Sequence, residues 1–142
     1  MIVAESKTRF SEDENNADYK LAFAIIEDGM GPYMQSNYYS GGATGPLPGW
    51  DDKPSYVSTM FNLVARDIFS AYGLNKSVPT TIKQGEDYTY SYKLSTRNVT
   101  NIDKCKVIVM ILDGWTGFVL NADQVTIEDN SGVEDATIET EP

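Results

Sequence analysis

The chain has 142 residues, one domain's worth and enough to bury a single core. Eleven bases against 21 acids leave a formal charge of −10. That offers no basic footprint for a phosphate backbone, excludes nucleic acid as a partner and disfavours anionic lipid headgroups. Histidine is absent, which removes the Ser/His and Cys/His nucleophile systems and the commonest transition-metal ligand together.

An apolar fraction of 41% with nine tyrosines fits a folded, β-rich chain. One cysteine, Cys105, permits no internal disulfide, so packing must supply the stability. No stretch approaches the roughly 20 apolar residues of a membrane helix. "MIVAESK" lacks a charged region followed by a long apolar run, so the expectation is either a cytoplasmic protein or a piece whose leader has been removed.

In chain order, "IVAESKTRF" reads as a polar, edge-like strand, whose open edge at Ile2–Arg9, with that of the C-terminal strand, could pair with another chain in a cell-surface structural or adhesive component. "SEDENNAD" (11–18) reads as a long hairpin loop to the next strand. "YKLAFAIIE" (19–27) is apolar on both faces and too short for a helix, which marks a central strand. Then comes "GPYMQSNYYS", and "SGGATGPLPGWDDKP" (40–54), whose glycines and prolines exclude helix or central strand. The spacing predicts strand over 56–67, then a short irregular or helical turn around 68–73, where apolar residues also fall at helical intervals.

Two-residue alternation is clearest in "EDYTYSYKLS": Tyr88, Tyr90, Tyr92 and Leu94 point one way, Asp87, Thr89, Ser91 and Lys93 the other. "CKVIVMILD" (105–113) is a second central strand, "DGWTG" a tight reversal, and "FVLNADQVTIED" (118–129) a further strand. The closing "EDNSGVEDATIETEP" holds six acids and no base and is expected to fray. The chain therefore reads as one antiparallel, immunoglobulin-like β-sandwich over 1–128, of about six to eight strands with one long Gly/Pro-rich loop, followed by an acidic tail over 129–142.

Candidate sites are few. Acid pairs at Glu27-Asp28 and Asp51-Asp52 sit at strand ends and turns, where solvated carboxylates are usual. A hydrolase would need two carboxyls flanking a substrate, with Glu27 or Asp28 near Arg66 the leading candidates and Asp123 with Asp129 a further pair. "EDENNAD" is oxygen-rich but lacks the central glycine and distal glutamate of an EF-hand, so no metal site is assigned, a surface calcium site between loops is the minor alternative, and no cofactor is expected. Cys105 opens an apolar strand between Lys104 and Lys106, whose side chains point to the opposite face; it reads as a buried, inert thiol. Asn75-Lys76-Ser77 and Asn98-Val99-Thr100 match the glycosylation pattern, a motif short enough to arise by chance. Tyr33, Tyr38, Tyr39 and Trp50 either close the end of the sandwich over Phe23 and Ile25 or form a platform for a glycan or protein partner. Closure is the favoured alternative.

In order, "YKLAFAIIEDGM", a following glutamine, "FNLVARDIF", "GEDYTYSYKL" and "KVIVMILDGWTGFVLNADQV" resemble the Omp28-related (outer-membrane-protein-28-like) family of Bacteroidota over residues 19 to about 127. Glu27, Asp28, Gln35, Asn62, Val64, Arg66, Gly85, Asn121 and Ala122 match its pattern, while Phe61 and Leu63 stand where the family has histidines. The resemblance implies a non-catalytic C-terminal β-sandwich of an exported lipoprotein, following a thioredoxin-like domain and lying in the periplasm or at the outer-membrane surface. It also implies a structural polar cluster of Glu27, Asp28, Gln35, Asn62, Arg66 and Asn121. Arg66, on an otherwise apolar strand, then needs a carboxylate partner, with Glu27 and Asp28 the natural candidates.

Overall fold

The computed structural model describes residues 1–42, 48–128 and 137–140, the last group by backbone alone. Its strands are β1 (Ile2–Arg9), β2 (Glu14–Asn15), β3 (Tyr19–Glu27), β4 (Met30–Ser36), β5 (Tyr56–Phe61), β6 (Val64–Leu74), β7 (Thr81–Ile82), β8 (Asp87–Leu94), β9 (Cys105–Asp113), β10 (Val119–Thr126) and β11 (Thr137–Thr140). Among the described residues one 3-10 turn, Ile102–Lys104, is the sole helical element. The chain divides into two compact units, Met1–Glu27 with Ala65–Pro142, and Asp28–Val64.

The larger unit is a two-sheet β-sandwich. One sheet has the order β11-β1-β8, the other β10-β9-β3-β6, and a small β2-β7 ladder lies apart from both. β3 and β9 are the central strands their double-sided apolar pattern predicts. They pair antiparallel along their full length, with Leu21 opposite Ile111, Phe23 opposite Val109 and Ile25 opposite Val107. All six are buried in one core cluster, to which Leu94 and the half-buried Tyr88, Tyr90 and Tyr92 of β8 contribute from the other sheet. The Phe23 and Tyr92 rings stack across the sandwich, with centroids 5.6 Å apart and planes at 14°.

β1 corrects its edge-like reading, because it lies between β8 and β11. Its inward residues Ala4, Ser6 and Thr8 stand opposite Tyr92, Tyr90 and Tyr88, and all three are buried. Small side chains leave room for the large rings, so the strand looks polar while occupying a core position. The Ser6 hydroxyl is satisfied by donating to the Tyr90 carbonyl at 3.2 Å. The β1–β11 pair runs parallel, unlike the antiparallel ladders around it. Of the tail expected to fray, 129–136 and 141–142 lie outside the described residues, whereas Thr137–Thr140 is strand.

Three connections also differ from expectation. Segment 11–18 is not a hairpin loop: β1 pairs in one sheet and β3 in the other, and Glu14–Asn15 forms its own ladder with Thr81–Ile82. The stretch 56–67 is two strands, broken at Asn62 and at Leu63, which takes a positive φ of 56°. Residues 68–73 are strand, not an irregular turn. As the edge of its sheet, β6 leaves Ile68 and Tyr72 exposed, and Ser70 (φ 57°) and Gly73 (φ 83°) interrupt its alternation. Those breaks are why its apolar spacing resembles a helix.

The β9–β10 reversal is built as "DGWTG" suggests. The Asp113 carboxylate accepts from the Trp115 and Thr116 amides at 2.8 and 2.9 Å. Those backbone bonds, Thr116's first, hold its pKa below the usual carboxylate value. Gly114 donates its amide to the Asp18 carbonyl, and a Cβ there would lie 2.3 Å from Asp18 Cγ. Gly114→Ala is therefore expected to lose about 1–3 kcal/mol in urea unfolding through overpacking. A loss within about 0.5 kcal/mol would show that the turn relaxes freely.

Candidate functional site

Residues expected in one polar cluster are found at several places. Glu27 ends β3 on the core side, where its side chain is 1% exposed. Its carboxylate accepts from the Asn101 amide at 2.6 Å and the Thr100 amide at 3.0 Å, and Arg66 Nε lies 3.1 Å away. Arg66 also donates through Nε and a terminal nitrogen to the Asn98 carbonyl. A buried acid on β3 and an arginine on β6 thus pin loop 98–101 to the sandwich. Both carboxylate oxygens are engaged in holding structure. Asn121 lies on β10 opposite Ile111.

Asp28 and Asn62 belong to the smaller unit. Asp28 accepts from the Leu63 amide at 2.7 Å, and Asn62 Oδ1 from the Gly29 amide at 2.9 Å. The two residues knit the ends of the 28–64 segment to each other. Within it β4 and β5 pair antiparallel, with Tyr33 opposite Thr59 and Gln35 opposite Val57.

The loop that follows β4 is organised by Asn37, a residue no apolar or charge pattern in the sequence singles out. It is 5% exposed. Its Nδ2 is shared among the carbonyls of Trp50 (2.7 Å), Pro54 (3.1 Å) and Lys53 (3.3 Å). Its Oδ1 accepts from the Tyr39 amide at 3.0 Å, and its backbone amide donates to Ser55 at 2.7 Å. The usable signal was an Asx residue opening a Gly-rich loop, a local hydrogen-bonding type. Asn37→Ala leaves those carbonyls short of a donor, at about 1–3 kcal/mol. Faster hydrogen exchange is expected at the Tyr39 and Lys53 amides, with Val107 and Val109 unchanged. Unaltered exchange at Tyr39 would contradict this role.

This loop and the sheet face form an open groove of about 610 Å³, lined by Gln35, Ser36, Asn37, Tyr38, Tyr39, Trp50, Thr59, Met60 and Phe61. The described residues lining it include no charged side chain. The Lys53 ammonium sits 5.1 Å over the Trp50 ring, a cation–π contact that fixes the ring's orientation. Tyr33 stands beside the lining, its ring tilted at 32° and 6.4 Å from that of Phe61.

Two of the rings expected to close the sandwich end are largely open to solvent. Tyr33 is 53% and Tyr38 91% exposed, and both belong to the smaller unit. The rings packed with the sandwich core are instead Phe10, Phe23, Phe69, Tyr19, Tyr88, Tyr90 and Tyr92.

A second groove, of about 410 Å³ and lined by Glu12, Asp13, Glu14 and Tyr19 among others, lies in the larger unit. Its groups hold one another. The Tyr19 hydroxyl donates to Glu14 at 2.7 Å, and that bond pushes its pKa up to about 12. Asp13 accepts from the Gln84 amide and the Lys83 ammonium, both of which lower its pKa. Among the described residues no group of three or more Cys, Asp or Glu side chains is placed to hold a metal ion. Cys105 is 2% exposed, with its thiol donating to the Asn101 carbonyl at 3.3 Å.

No family model, curated protein or solved structure matches the chain.

Proposed function

We propose that this chain is a non-catalytic, extracytoplasmic β-sandwich module of an exported lipoprotein, and that it binds its ligand through the aromatic groove of the 28–64 unit. One observation carries the reading: Tyr38, Tyr39, Trp50 and Phe61 gather around an open groove where a plain loop would suffice. A ring left 91% exposed, as Tyr38 is, contributes little to folding, whereas amphipathic rings suit recognition. The engagement of both Glu27 oxygens by Arg66, Thr100 and Asn101 supports a structural role for the acid that a carboxylate hydrolase would have used. The exported setting and a thioredoxin-like neighbour domain rest on the resemblance over residues 19–127.

Screening on glycan and peptide arrays tests the reading. Saturable binding is expected, lost in Tyr38→Ala and Trp50→Ala with the far-ultraviolet dichroism unchanged. Binding that survives both substitutions would move the site elsewhere. Turnover of an array ligand would overturn the non-catalytic reading.

A further inference from the structure

We propose, resting on the reading of the groove as the ligand site, that its ligand is an uncharged glycan. The described lining offers rings, hydroxyls and carboxamides with no charged group among them. The cation nearest the lining, the Lys53 ammonium, is engaged over the Trp50 ring and follows two exposed acids, Asp51 and Asp52, so it offers an anionic ligand little net counter-charge, which selects for neutral chemistry. Asp51 and Asp52 are exposed on the same loop, and the chain carries −10 overall, so uronate, sialylated or sulfated sugars are repelled as they approach.

Geometry favours a sugar over an extended peptide. Gln35 and Thr59 line the groove from within the β4–β5 ladder, at the 35↔57 and 33↔59 registers. Strand addition would use the free outer edge of β4 or β5 and its main-chain hydrogen bonds, not the rings and hydroxyls that line this groove. A pyranose needs something else: a flat ring for its C–H face and hydroxyls for its rim. Trp50, held in orientation by Lys53, and Tyr38 supply the first; Ser36, Tyr39 and Thr59 supply the second. The volume of about 610 Å³ falls in the range of small-ligand sites.

The test is calorimetric titration of the full chain with four probes: cellohexaose, mannohexaose, an oligogalacturonate of similar length and a decaproline peptide. At least one neutral hexasaccharide is expected to bind, and the oligogalacturonate at least about tenfold more weakly. Tyr38→Ala and Trp50→Ala should each weaken the neutral sugar at least about tenfold, and Trp50→Phe less than about threefold, since it keeps a stacking face. A urea midpoint matching the parent shows that each variant is folded. Preference for the oligogalacturonate overturns the inference. Decaproline bound through Trp50, with neither neutral sugar bound, overturns it while leaving the groove a ligand site. No binding by any probe counts against both.

Discussion

Arg66→Ala is expected to destabilise the chain by about 3 kcal/mol, the lower end of the about 3–5 kcal/mol range for breaking a buried pair. The lower end applies because Arg66 is 24% exposed, and because the Thr100 and Asn101 amides still hold Glu27 once the guanidinium is gone. Glu27→Ala should cost as much or more. It removes a side chain only 1% exposed, leaves the Thr100 and Asn101 amides without their acceptor, and leaves Arg66 the Asn98 carbonyl but no counter-charge. The two residues touch, so the double variant should fall short of the summed singles by about 1–3 kcal/mol. Urea unfolding of the four proteins completes the cycle. Additivity within about 0.5 kcal/mol would mean that the pair is not what pins loop 98–101.

Phe23→Ala should cost about 3–5 kcal/mol. The ring is fully buried at the centre of β3, stacked on Tyr92 and in the same core cluster as Val107, Val109 and Ile111 of β9. Truncation opens a cavity in a layer held by ladders on both sides, which can collapse only in part. Phe23→Leu, which keeps most of the volume, should lose less than half as much. The same unfolding experiment checks both. A cost for Phe23→Ala within about 1 kcal/mol would mean that the two sheets do not depend on this stack.

What the sequence revealed follows from which signals are local. β3, β8 and β9 were legible because their apolar patterns report on burial: two-sided in β3, buried on one face and half-buried on the other in β9, one-sided in β8. β1 misled because Ala4, Ser6 and Thr8 are buried only by virtue of the tyrosines opposite them, a fact of pairing and not of composition. β6 misled because Ser70 and Gly73 take positive φ and shift its alternation partway along. The Glu27–Arg66 pair was foreseeable from chemistry, since an arginine among apolar residues needs an acid. Its further partners, the Thr100 and Asn101 amides, are backbone groups that no side-chain pattern announces. The groove was half legible: its rings stood out as a cluster of tyrosines, but the assignment of 28–64 to a separate compact unit is a property of long-range contacts. Trp115 read only as part of a turn and Phe118 as the start of a strand, yet they are 82% and 71% exposed.

The most direct test of the binding reading uses Trp50 as its own reporter. The chain has two tryptophans, and Trp115 is 82% exposed, so Trp115→Phe isolates Trp50 emission at little structural cost. A ligand retained on the arrays is titrated into this variant, and its affinity is measured in parallel by calorimetry. The expected result is a saturable change in Trp50 emission whose midpoint equals the calorimetric Kd. Full calorimetric binding with Trp50 emission unchanged would place the ligand elsewhere and contradict the aromatic groove as the binding site.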